Sequence, residues 1–161
     1  MRKLFLVRHA KSSKDDPALP DKERPLNDRG MHDAPKMGKR LAKCDVKVDL
    51  VVSSPALRAL TTAELIAREL GYKTKDIVVD EHLYNSSPSE LLKVIRALGE
   101  RPKRLMLFGH NPEFTELARS LSSEITDMPT CAVAEFEFDI KSWSDISMQL
   151  PTKVALYSPK K

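Results

Sequence analysis

Hydrophobic and polar positions follow two different rhythms along this chain of 161 residues. Leu4-Phe5-Leu6-Val7, Leu50-Val51-Val52 and Leu105-Met106-Leu107-Phe108 are short apolar runs without alternation. Such runs predict strands buried on both faces, as in a parallel sheet. Ile77-Val78-Val79 is a shorter candidate. Four helical patterns lie between and after them. In the first, Ala34, Met37, Gly38 and Leu41 recur at helical spacing with Pro35 inside, so the helix starts near Asp33 or kinks there. Ser54 as N-cap and Pro55 at the first helical position open the second, with Leu57, Leu60, Ala63 and Ile66 inward and Gly71 at its end. Ser87-Pro88-Ser89-Glu90 is a capping box; Leu91, Val94, Ile95 and Leu98 follow on the buried face and Gly99 closes the helix. Asn111-Pro112 opens the fourth, with Phe114, Leu117, Ala118 and Leu121 inward.

The rhythm then changes. Ala134, Phe136, Phe138 and Ile140 alternate with Glu135, Glu137 and Asp139, which predicts a half-exposed antiparallel strand. Val154 to Tyr157 can pair with it after a turn near Trp143-Ser144-Asp145. Strands alternating with helices imply βαβ units. The expected fold class is α/β: one three-layer α/β/α domain over residues 1–161, with a mostly parallel central sheet and an antiparallel C-terminal edge. Lys11 to Asn27 carries Pro17, Pro20 and Pro25 and is read as a long loop. Loops of that length are frequently functional.

Composition narrows the field. Hydrophobic residues make up 41% and charged residues 31%, a globular balance, and the net charge is +4. That excess suits an anionic ligand without marking a nucleic-acid binder. No apolar run has the length of a membrane span. Arg8, His9 and Lys11 interrupt the N-terminal apolar stretch, so a signal peptide is not expected. Cys44 and Cys131 provide neither a disulfide framework nor a zinc set, and a reduced, cytoplasmic location is expected. Leu50 and Glu137 stand six residues after the two cysteines, so the thiol phosphatase loop, which needs arginine there, is missing. The Asp-x-Asp of aspartate phosphatases, a P-loop and a magnesium-holding carboxylate cluster are missing as well. No metal or cofactor is expected.

In open α/β sheets, ligands bind beyond the carboxyl ends of the strands. Arg8-His9 follow the first strand, Ser53-Ser54 and then Arg58 the second, Glu81-His82 the third and Gly109-His110-Asn111 the fourth. Guanidinium forks match phosphate oxygens, and helix N-termini add N–H donors. A histidine among arginines has its pKa depressed, which leaves a ring nitrogen unprotonated and nucleophilic. These residue types support a metal-free phosphoryl transfer centred on histidine.

The same segments carry a family resemblance. Leu6-Val7-Arg8-His9-Ala10 resembles the Arg-His signature of the histidine phosphatase superfamily, which includes cofactor-dependent phosphoglycerate mutases. Arg24-Pro25-Leu26-Asn27-Asp28-Arg29-Gly30 is similar to the segment that follows it there, Ser53-Ser54-Pro55-Ala56-Leu57-Arg58-Ala59-Leu60-Thr61-Thr62-Ala63 to the second motif and Gly109-His110-Asn111-Pro112 to the third. The compact length, Arg8-His9-Ala10-Lys11-Ser12 and Leu83-Tyr84 resemble the small phosphohistidine phosphatase (SixA-type) branch. The resemblance implies that His9 attacks phosphorus and carries the phosphoryl group, while Arg8, Arg58 and His110 clamp its oxygens. Arg24 is a further phosphate contact if the loop folds back over the site. Lys11, Ser12 and Ser13 either line the pocket or belong to the loop alone. A leaving alkoxide needs a general acid, for which Glu81 is the candidate and His82 its neighbouring alternative.

The function read from the sequence is therefore hydrolysis of a protein phosphohistidine or a small phosphomonoester. The alternatives are a phosphoglycerate mutase-like transferase and a non-catalytic phosphoanion-binding protein. The chain is short for the closed lid that a mutase needs. Pure binding does not require a nucleophile. Nucleic-acid and membrane partners have no supporting motif.

Overall fold

The computed structural model describes residues 1–160. Its strands are β1 (Arg2–Arg8), β2 (Leu50–Ser53), β3 (Val78–Val79), β4 (Arg104–Gly109), β5 (Val133–Phe138) and β6 (Lys153–Tyr157). Its helices are α1 (Asp28–Lys43), α2 (Leu57–Glu69), α3 (Pro88–Arg96) and α4 (Glu113–Leu121). One six-stranded sheet runs in the order β3-β2-β4-β1-β5-β6. The pairs β3·β2, β2·β4 and β4·β1 are parallel, and β1·β5 and β5·β6 are antiparallel. The expected three-layer α/β/α fold with an antiparallel C-terminal side is what the chain adopts.

Two apolar layers clothe the sheet. Leu4, Leu6, Leu105 and Leu107 face Leu91, Ile95, Phe114, Leu117 and Trp143 on the side of α3 and α4. Phe5, Val7, Val51, Met106 and Phe108 face Met37, Leu41, Ala63 and Ile66 on the side of α1 and α2. Successive strand residues thus go into opposite cores, which is why the central runs do not alternate.

The helices show where local signals were misread. α1 starts at Asp28, not near Asp33, because Asn27 caps it by accepting a hydrogen bond from the Gly30 N–H at 2.9 Å. Pro35 lies inside the helix. Ser54 is not the N-cap of α2: Ala56 takes that place without a side-chain bond. The buried face of α2 is Arg58, Ala59, Thr62, Ala63, Ile66 and Ala67, and Leu57 is exposed. This small-residue face lets α1 come close, so that a Cβ on Gly38 would stand 3.2 Å from the Ile66 Cα. Ser87 caps α3 by accepting from the Glu90 N–H at 3.2 Å, and Gly99 closes the segment with φ +65°.

On the antiparallel side, β5 is interior rather than half-exposed. Glu135 is buried between β1 and β6, where the Tyr157 hydroxyl bonds it at 3.2 Å and the Lys3 ammonium lies at 3.8 Å. A buried carboxylate requires such partners. The outer edge is β6, as the pairing of Val154 to Tyr157 predicts. Trp143 is fully buried in the turn before it, against the α3 side.

Gly109, the last residue of β4, has the Phe114 ring of α4 where a Cβ would stand. Gly109→Ala should therefore destabilise the protein by about 1–3 kcal/mol in urea unfolding, the usual cost of overpacking. Adding Phe114→Leu should return part of that loss; strictly additive losses would show that the ring does not set the constraint.

Candidate active site

β1 and β4 are paired so that Arg8 stands opposite Gly109. The next residues, His9 and His110, consequently leave the sheet side by side, with ring centroids 5.2 Å apart. The His9 N–H continues the ladder to the Gly109 carbonyl at 3.0 Å, and the Ser54 N–H does the same to the Phe108 carbonyl at 3.0 Å. The first turn of α2 adds Arg58 from the other side. These residues meet around a cavity of about 360 Å³ lined by Arg8, His9, Arg24, Arg58 and His110, with Ser12 from the long loop. Lys11, Lys14, Asn111 and Thr130 complete the lining. Among the described residues, no carboxylate lines it.

His9 is 8% exposed. Its Nδ1 lies 2.7 Å from the Ala10 carbonyl, which can only accept, so Nδ1 carries the proton and Nε2 keeps the lone pair. Burial pushes its pKa down to about 4; the bond to Ala10 opposes this, and the Arg58, Arg8 and Arg24 guanidinium groups add to it. His110 is 6% exposed, and its Nε2 meets the Ser54 hydroxyl at 2.7 Å. Burial first, then His9 and Arg58, push its pKa down to about 3. Both imidazoles are therefore neutral at pH 7, and the role of Ser54 is to hold His110 rather than to cap a helix.

The guanidinium groups are held by backbone and loop. Arg8 Nη1 donates to the Met128 carbonyl at 3.0 Å, a carbonyl that also accepts from the Asn111 side chain at 3.0 Å. Thr62 of α2 accepts from the Ala10 N–H at 3.0 Å and donates to the Arg58 carbonyl at 2.7 Å, locking the end of β1 to the start of α2. Among the described residues, four buried side-chain nitrogens lack a partner, and three of them are Arg8 Nε, Arg58 Nε and His110 Nδ1. Buried donors are normally paired, so this concentration marks a site whose hydrogen-bonding capacity is unspent.

The long loop is closed at its neck by a bridge between Ser12 and Leu26. Arg24 Nη1 donates to Ser12 Oγ at 2.9 Å and to the Ser13 carbonyl at 3.0 Å, which brings both Arg24 and Ser12 to the cavity. Asp21, which the sequence did not single out, is the loop's anchor. Its carboxylate accepts from Arg58 at 3.0 Å, from Arg24 at 3.1 Å and from the Tyr84 hydroxyl at 2.5 Å. The Tyr84 bond first, then Arg58 and Arg24, hold its pKa well below the usual carboxylate range. The i,i+3 spacing from Arg24 was the only sequence signal for it.

Glu81 is not brought to the cavity. Its side chain is 69% exposed and paired with Lys22 at 3.0 Å. His82 is exposed and bonded to Asp80 at 2.8 Å. Both sit in a short 3-10 turn, Glu81–Leu83, anchored by the buried Leu83, which turns the polar residues outward. His32 is also exposed. No group of three or more His, Cys, Asp or Glu that could hold a metal occurs among the described residues.

A six-stranded α/β sheet that sets a neutral histidine among arginines at its carboxyl edge defines a phosphoryl-transfer class of protein. The chain belongs to the histidine phosphatase superfamily: the description "Histidine phosphatase superfamily (branch 1)" matches residues 4–90. His110 lies outside that stretch and joins the site through the sheet. An uncharacterized chloroplastic protein of Arabidopsis thaliana is 30% identical over 152 residues, covering 89% of this chain and 70% of its own. The Agrobacterium tumefaciens structure described as a phosphohistidine phosphatase SixA, an assignment its own description leaves open, superposes with a TM-score of 0.77 at 27% identity. It covers 84% of this chain and 90% of its own. The structure of the protein histidine phosphatase SixA complexed with tungstate shares the fold at 23% identity and a TM-score of 0.83, over 98% of this chain and 97% of its own.

The two imidazoles should titrate far below the usual 6.5. In carbon-detected NMR, the His9 and His110 rings should remain neutral down to pH 5; midpoints near 6.5 would contradict the burial argument. The unfolded chain binds more protons than the folded one between about 6.5 and these lowered values. The stability conferred by the neutral rings is therefore complete above about 6.5 and is lost as pH falls toward 4 and then 3.

Proposed function

We propose that this protein is a metal-independent phosphatase, acting as one domain, that hydrolyses protein phosphohistidine through a phosphoryl group carried on His9. The single observation that carries the reading is the cavity itself: a neutral histidine with a free Nε2, three arginines and, among the described residues, no carboxylate. Membership of the superfamily and likeness to the Agrobacterium protein support phosphatase chemistry.

In the first step the Nε2 lone pair of His9 forms a bond to phosphorus as the P–N bond of the substrate histidine breaks. A phosphohistidine whose second nitrogen is protonated leaves as neutral imidazole, with its electron pair on the departing nitrogen. No proton has to be supplied, in contrast to an alkoxide. The Nδ1–H of phosphorylated His9 stays on the Ala10 carbonyl. In the second step water attacks phosphorus, the P–N electrons return to Nε2, and the water proton passes to the phosphate or to solvent. His9 thus returns to its starting tautomer. Arg8, Arg24, Arg58 and His110 stabilise charge on the equatorial oxygens in both steps. Glu81, paired on the surface with Lys22, has no part in it. A cytoplasmic site of action fits the two unpaired thiols, Cys44 and Cys131.

The test compares a phosphohistidine peptide, p-nitrophenyl phosphate and an alkyl phosphate without added metal. The peptide should turn over fastest and the alkyl phosphate slowest. His9→Ala should abolish turnover, Arg58→Ala should lower kcat by about 10²–10³, and Glu81→Gln should leave it unchanged. Alkyl phosphate hydrolysis that depends on Glu81 would favour a phosphomonoesterase.

A further inference from the structure

The catalytic cavity is not isolated on the surface. It shares Lys11 and Thr130 with a second cavity of about 240 Å³ beneath the C-terminal segment. That one shares Asp33, Pro159 and Lys160 with a third of about 500 Å³ along α1. The three form one trail from the catalytic residues down the outer face of α1. Lys36, Lys39 and Lys43 rise at helical spacing along its far end, while Lys11 and Lys14 stand at its start. All five are exposed, and among the described residues none belongs to an ion pair. Among the described residues, Asp33 is the only acidic one in the lining, and Arg29 already neutralises it at 3.2 Å. The floor is apolar, with Met37 buried and Pro129 and Pro159 beside it.

We propose that this trail docks an acidic, extended segment of the phosphoprotein substrate and so selects which phosphohistidines reach His9. The inference rests on the phosphoprotein reading above. Charge complementarity names the occupant: a row of unneutralised ammonium groups over an apolar floor fits carboxylates flanking a chain that lies in the groove. Length agrees. Gly30 of α1 packs against the Lys11 backbone, and the 13-residue rise from there to Lys43 is about 20 Å, the span of about six extended residues. Nucleic acid fits less well, because among the described residues no Phe, Tyr or Trp lines the trail for bases to stack on, and Tyr157 nearby is covered by Arg40 at 5.3 Å. A lipid surface calls for protruding apolar side chains, whereas Met37 is sunk in the floor.

Two synthetic phosphohistidine peptides, the histidine flanked on each side by six glutamates or by six glutamines, test this. At low salt the glutamate peptide should show roughly tenfold higher kcat/KM, through KM, and the advantage should collapse in 0.5 M salt, where the Debye length is only a few Å. The Lys36→Glu/Lys39→Glu/Lys43→Glu variant should lose the preference and hydrolyse the glutamine peptide at the wild-type rate. Equal kcat/KM for the two peptides, or a preference that survives in the variant, overturns the proposal. So does lysine-dependent capture by phosphatidylserine vesicles with no discrimination between peptides. Binding of the fluorescent unphosphorylated peptides reads docking separately. Selective binding without hydrolysis would support the groove and overturn the catalytic reading, and indifferent binding would overturn the groove.

Discussion

The site depends on the register of three parallel strands. Val51 and Val52 pair with Met106 and Leu107, which in turn pair with Phe5 and Leu6. Each of these strands is buried on both faces, so a slip by one residue would exchange every side chain between the two cores. Packing therefore fixes the register, and the register fixes which residues emerge together at the carboxyl edge. Ser54, His110 and His9 emerge in a row, and the bonds from Ser54 to His110 and from His9 to Ala10 need no help from a loop. Gly109 adds a second constraint, because its missing side chain admits the Phe114 ring of α4 against the end of β4.

Electrostatics then selects the protonation states. Burial disfavours a proton on either ring, and repulsion from Arg58 and Arg24, joined at His9 by Arg8, acts in the same direction. Asp21 moderates the positive field. It sits on the loop side of Arg58 and Arg24, half-exposed, and binds both without lining the cavity. The arginines are thereby oriented while they still line the cavity. A carboxylate inside the cavity would compete with the substrate anion; one behind the arginines positions them.

The legible part of the molecule was the part written in buried periodicity. The apolar runs gave β1, β2 and β4, and the polar residues just past them gave Arg8, His9, Arg58 and His110. What the sequence hid were choices between neighbours that only tertiary contacts decide. Ser54 before a proline carries every local mark of an N-cap, yet its hydroxyl has a buried imidazole as an alternative partner, and the helix starts later. Glu135 alternates like a surface residue, but β6 and Lys3 supply it with partners and cover it. Glu81 follows a strand as a catalytic acid would, but the buried Leu83 turns it outward. Asp21 was invisible for the complementary reason: its partners Arg58 and Tyr84 are 37 and 63 residues away.

These contacts divide the site into two halves of different rigidity. His9, His110, Ser54 and Thr62 stand on strand ends and on α2, inside cores that hold them by burial. Arg24, Ser12 and Asp21 belong to a loop pinned at its neck by one bridge and at its tip by side-chain bonds from Asp21 to the half-buried Tyr84 and the buried Arg58. Loops supported in this way open at lower free-energy cost than core elements. Chemistry that must occur at one phosphorus atom needs the first half fixed. Admission of a phosphorylated substrate needs the second half able to yield. The same sheet therefore serves both needs: its interior strands set the two histidines, and the segments outside them set what can approach the cavity.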